Sequence, residues 1–67
     1  MNIDVRKYII SNFKEDSIND IRTSIDKSIE SKEDEPLIGL GVLFEILWNK
    51  SDEETKLLIL NNIKRGM

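Results

Sequence analysis

Apolar residues recur along this chain at helical spacing. Val5, Tyr8, Ile9 and Phe13 follow the i, i+3, i+4, i+8 pattern of a single face, which predicts a first helix over about Asp4 to Phe13. Ile10 falls beside that stripe, and Lys14–Glu15–Asp16 reads as a polar connection. Ser17 then has the chemistry of an N-cap, with Asp20 three residues on as the acidic half of a capping box. Behind it Ile18, Ile21, Ile25 and Ile29 fall within roughly 80° of a helical wheel, so the period is helical although branched isoleucines are not the best helix formers.

Ser31 to Pro36 reads as a loop whose work is connection. It is a solvated charge run closed by a proline, and that proline disfavours helical geometry at Glu35. A third helix is expected from about Leu37 or Ile38 to Asn49. It is apolar on nearly every side, as expected of a helix buried on several faces. A buried strand is the competing reading of such a run, but the length favours helix and no second strand is available to pair with it. Ser51 and Glu54 fit a second capping box and open a fourth helix. Acids crowd its first turn, and Lys64 and Arg65 stand in its last, matching the helix dipole, with Gly66 as a C′ residue. Leu57, Leu60 and Ile63 form its stripe, with Ile59 at the edge, and Leu58 points elsewhere. The expected fold is all-α: one domain over residues 1–67, a compact bundle of about four short helices around a central apolar one.

Length makes that fold marginal. A chain near 60 residues buries only about 60% of the surface its unfolded form exposes, and domains of this size usually need a staple. With no cysteine there is no disulfide or thiolate metal site, and with no histidine the commonest metal ligand and general base are missing. Metal and cofactor are therefore not expected, and stability must come from packing or self-association. The net charge is −3, carried by residues 1–35, while residues 36–67 are neutral. Neither half offers the basic face that nucleic acid requires. The N-terminus lacks the basic and apolar regions of a secretory signal. The apolar run from Leu37 to Trp48 contains Glu45 and falls short of the about 20 residues a membrane span needs. An intracellular location is expected, with no membrane partner.

Candidate chemistry is sparse. Glu45 is the one carboxylate in an apolar setting, where a raised pKa would make a general acid; the plainer reading is a rim residue or one paired with a nearby cation. Gly39 and Gly41 form a Gly-x-Gly element, but no strand precedes it and Phe44 occupies the third glycine position of a dinucleotide fingerprint. The glycines are read instead as allowing close approach of another helix or shaping the start of the third one. No small-molecule ligand is evident. A DNA-reading helix would have to be the fourth, through Lys56, Asn61, Asn62, Lys64 and Arg65, yet its start is acidic and would face phosphates. Trp48, Phe44 and Phe13 lack the interleaved basic residues of a single-strand platform and are expected in the core. The apolar surface of the third helix, with Ile10 and Leu58, exceeds what three short helices cover. Such an excess marks a protein contact, expected to be a homodimer through the third or fourth helix.

The run Gly39–Leu40–Gly41–Val42–Leu43–Phe44–Glu45–Ile46–Leu47–Trp48 resembles the signature of the small acid-soluble spore protein I family, a Leu-Pro-Gly-Leu-Gly-Val-Leu-Phe-Glu segment followed shortly by Trp. Ile3–Asp4–Val5–Arg6 and Ile9 to Asn12 resemble that family's N-terminal helix, Glu33–Asp34–Glu35 its acidic loop, and Ser51–Asp52–Glu53–Glu54 the start of its last helix. The family's proline before the first motif glycine is Ile38 here, and a proline stands two positions earlier at Pro36. The resemblance implies a minor protein made in the forespore of endospore-forming bacteria and stored in the spore core. It implies no activity and no catalytic residues. A structural role is expected for Gly39, Leu40, Gly41, Val42, Leu43, Phe44, Glu45 and Trp48. The leading expectation is a non-enzymatic protein that binds itself or an unknown spore protein. A DNA-associated spore protein or helical DNA binder is the alternative, disfavoured by the charge, and a storage role in germination is a third reading.

Overall fold

In a computed structural model that describes residues 4–67, four helices follow one another: α1 Val5–Phe13, α2 Ile18–Glu30, α3 Glu35–Lys50 and α4 Glu53–Gly66. The all-α class and the gathering of short helices around a central α3 are as the sequence predicts. Ile3, which opens the N-terminal resemblance, lies outside the described residues.

Most helix ends follow from local chemistry. Asp4 caps α1 by accepting the Lys7 N–H at 3.0 Å. At α2 the reciprocal capping box is present: the Asp20 N–H donates to Ser17 Oγ at 3.1 Å, and the Ser17 N–H donates to Asp20 Oδ2 at 3.4 Å. Beyond the Ser31 C-cap, Lys32 takes a left-handed φ of 62°, the conformation that commonly ends a helix but is usually given to glycine.

Three boundaries differ from expectation. First, α3 begins at Glu35, so the loop is shorter than Ser31–Pro36 and the proline sits inside the first helical turn. Proline is at home there, because its missing N–H has no intrahelical acceptor and its fixed φ suits a helix. Second, Ser51 does not form a capping box with Glu54. Its Oγ donates to the Leu47 carbonyl at 2.6 Å and its N–H to that of Trp48 at 3.2 Å, so it closes α3. Asp52 caps α4 instead, accepting the Thr55 N–H at 2.8 Å with an ionised oxygen, a stronger acceptor than a hydroxyl. Third, Gly66 is the last residue of α4 and has no positive φ, so it is not the C′ residue expected.

The packing is thinner than the apolar pattern implies. α1 and α2 both pack on α3, yet Val42, at 6% exposure, is the one buried hydrophobic residue among those described. The expectation that α3 is buried on several sides is therefore corrected: Leu37, Ile38, Phe44, Ile46 and Leu47 all remain exposed. Neighbours of 9 and 13 residues cannot wrap a 16-residue helix that is apolar all round. The α2 stripe is likewise covered only at its middle. Ile21 and Ile25 are half-buried, while Ile18 and Ile29 at the two ends face solvent. α4 lies against the C-terminal half of α3, where Trp48 borders Leu57 and Leu60.

The glycines do not admit a neighbouring helix. A Cβ built at Gly39 or Gly41 would meet nothing within 4 Å, so close approach is not what those positions provide. Replacing either by alanine in mid-helix is expected to raise stability by about 0.5–1 kcal/mol through backbone entropy and helix propensity. A higher urea midpoint for Gly39→Ala and Gly41→Ala checks this, and a lower one would show that the space is needed. The cap assignment has its own test. Asp52→Ala should lower stability by about 1 kcal/mol, with Ser51→Ala costing distinctly less.

Candidate functional site

The motif residues lie on one helix and point in different directions. Leu40 and Leu43 turn toward α1 and α2, and Val42 fills the centre. Gly39 borders α1 near Tyr8 and Ile9, and Gly41 is exposed. Phe44 stacks on Trp48 one turn later, with ring centroids 5.8 Å apart and planes at 27°. Phe13 does not join them in a platform; it lines the cleft described below.

Glu45 is the polar member of the run, and its partner is Arg6 of α1. Arg6 Nε donates to Oε1 at 2.8 Å and Nη2 donates to Oε2 at 3.1 Å, a two-point grip across 39 positions of sequence. The hydrogen bond from Arg6, with its charge, holds the Glu45 carboxyl below the usual carboxylate range. The same bond raises the Arg6 guanidinium. Glu45 is thus the cation-paired carboxylate of the plainer reading and not a raised-pKa acid. Its partner carried no signal in the sequence, since helical periodicity says nothing about which cation crosses from another helix.

At the other end of α3, Lys56 Nζ sits 5.2 Å from the Trp48 ring centroid. Lys56 is half-buried in this contact, so it turns toward α3 instead of standing out as a base-reading side chain would. This contact and the Arg6–Glu45 pair join α4 and α1 to α3 through polar groups.

Between α1, α2 and α3 lies an open cleft of about 580 Å³. Ile9, Ile10 and Phe13 form one wall, Ile21 and Ile25 another, and Leu43, Ile46 and Leu47 the floor. Among the described residues that line it, Lys14 alone carries a charge. Of the lining residues, Ile10, Ile46 and Leu47 remain 41%, 42% and 47% exposed. The cleft is almost wholly apolar, and one of the three helices that build it carries the motif. Its walls offer dispersion and burial.

The family model for "Small, acid-soluble spore protein I" matches residues 3–67. This chain belongs to the small, acid-soluble spore protein I family. Proteins of that name from Bacillus mycoides strain KBAB4, Bacillus licheniformis and Halalkalibacterium halodurans are each 33% identical to it over 67 residues. The alignments cover all of this chain and 97%, 96% and 98% of those relatives. No solved structure matches the chain. The family resemblance read from residues 39–48 is therefore established, and the protein is spore-associated as a small, acid-soluble spore protein I is. No helix among the described residues is long and apolar enough to cross a membrane.

The Arg6–Glu45 pair and the Asp52 cap make stability depend on acid. Both carboxyls have lowered pKa values in the folded chain, Asp52 through the Thr55 backbone N–H above all. A group depressed on folding contributes stability that is present above its unfolded pKa and lost as pH falls through the folded value. The melting temperature should accordingly fall as pH drops below about 4.3, the ordinary glutamate value. Glu45→Gln should flatten that decline, and an unchanged pH profile would show that the pair does not couple to folding.

Proposed function

We propose that this small, acid-soluble spore protein I is a non-enzymatic protein of the forespore and spore core that works through protein contact, by associating with itself or with another spore protein. The observation that carries this reading is the open apolar cleft between α1, α2 and α3, whose lining holds one charge, that of Lys14. An exposed apolar surface of this kind is costly in water and gains free energy when a complementary surface covers it. Glu45, the carboxylate closest to apolar surroundings, is kept ionised by Arg6 and is poorly suited to donate a proton near neutral pH. Family membership supports the spore setting.

The test uses sporulating cells that carry a photo-crosslinking residue at Leu47, in the floor of the cleft, with a second strain carrying it at the exposed Asn61 of α4. The expected result is a crosslinked protein product from dormant spore cores at Leu47 and a weaker one at Asn61. Equal or absent crosslinking at the two positions, or comparable amounts of the chain in growing cells, would contradict the reading.

A further inference from the structure

We infer that the cleft is closed by a second copy of this chain, the two copies meeting face to face about a twofold axis with Ile10, Ile46 and Leu47 at the centre. This rests on the protein-contact reading and assigns its partner and its surface.

The first argument is area. The chain exposes 6200 Å². A folded monomer of 7.8 kDa is expected to expose about 4400 Å². The excess is about 1800 Å² per chain, whereas an interface of standard size withdraws about 800 Å² from each partner and an obligate dimer about 1000–2500 Å². The surplus is of the size one obligate interface removes, and it is shared between the cleft and the exposed leucines and isoleucines of α4 and the N-terminal end of α3. The radius of gyration agrees: 13.2 Å, against about 11 Å for a self-sufficient domain of this length.

The second argument is supply. One buried hydrophobic residue among those described is too little core for a chain of 67 residues, and with no cysteine in the sequence there is no disulfide to hold it. Whatever completes the core must be present wherever the chain folds and in matching amount. A second copy meets that condition by construction.

The third argument is chemistry. The cleft carries a single charge, so a strongly charged occupant would be left desolvated and unpaired there. The same face of another copy is apolar across its lining apart from Lys14. A twofold contact requires this kind of self-complementarity.

Sedimentation equilibrium of the purified full chain, combined with isotope-filtered NMR on mixed labelled and unlabelled protein, tests the inference. The expected particle has twice the 7.8 kDa chain mass, with cross-copy contacts among the methyl groups of Ile10, Ile46 and Leu47. Leu47→Glu should abolish the dimer, while Leu58→Glu on the outer side of α4 should leave it intact. Because Leu47→Glu may also unfold the chain, the cross-copy contacts of the unaltered protein are the deciding measurement. A folded monomer at high micromolar concentration would overturn the inference, as would a dimer whose cross-copy contacts fall on Leu57 and Leu58. If the purified chain is a folded monomer yet Leu47 still crosslinks to a different protein in spores, the second copy is ruled out and the protein-contact reading stands. Without any such crosslink both fail.

Discussion

The structure depends on how much of α3 its own neighbours can cover. That helix is apolar around its whole circumference, and apolar surface left in water weakens the folded state in proportion to its area. α1 and α2 take one side and α4 takes part of another. Among the described residues Val42 alone is a buried hydrophobic, and it still keeps 6% of its exposure. Leu43, Ile46 and Leu47 of α3 form the floor of the open cleft, and Leu37 and Ile38 stay exposed outside it.

Polar contacts compensate for the thin core by fixing positions. Arg6 grips both oxygens of Glu45 and sets the angle at which α1 crosses α3. Lys56 over Trp48, beside the Phe44–Trp48 stack, does the same for α4. Both contacts are partly or wholly exposed, so each contributes modestly to stability and more to geometry. Ser51 and Asp52 divide the turn between α3 and α4, one closing a helix and the other opening the next.

Much of this was legible in the residues, because helix periodicity and N-cap chemistry are local. The Ser17–Asp20 box, the α1 face and the dipole-matched charges of α4 could be read directly, and the run from Gly39 to Trp48 identified the family. The misreadings arose where two local rules compete or where tertiary contact decides. Pro36 disfavours helical geometry at Glu35 by local rule, yet it serves here as a first-turn residue. Ser51 and Asp52 both have capping side chains, and the choice between them depends on the Leu47 carbonyl, which already accepts from Ser51. Gly39 and Gly41 suggest either a close neighbour or a shaped start to α3, and the open space beside them removes the first of these. The Arg6–Glu45 pair crosses 39 positions and leaves no trace in any periodic pattern. An apolar excess could be recognised from the sequence, but not that part of it lines a cleft between α1, α2 and α3.

The central claim is that the chain alone leaves its core incomplete and that association finishes it. Amide hydrogen exchange along α3, followed at two protein concentrations about a hundredfold apart, tests this most directly, because stability gained by association rises with concentration. The account predicts that amides from Leu40 to Leu47 become markedly more protected at the higher concentration. Protection identical at both concentrations would contradict it and would mean that the thin core around Val42 suffices on its own.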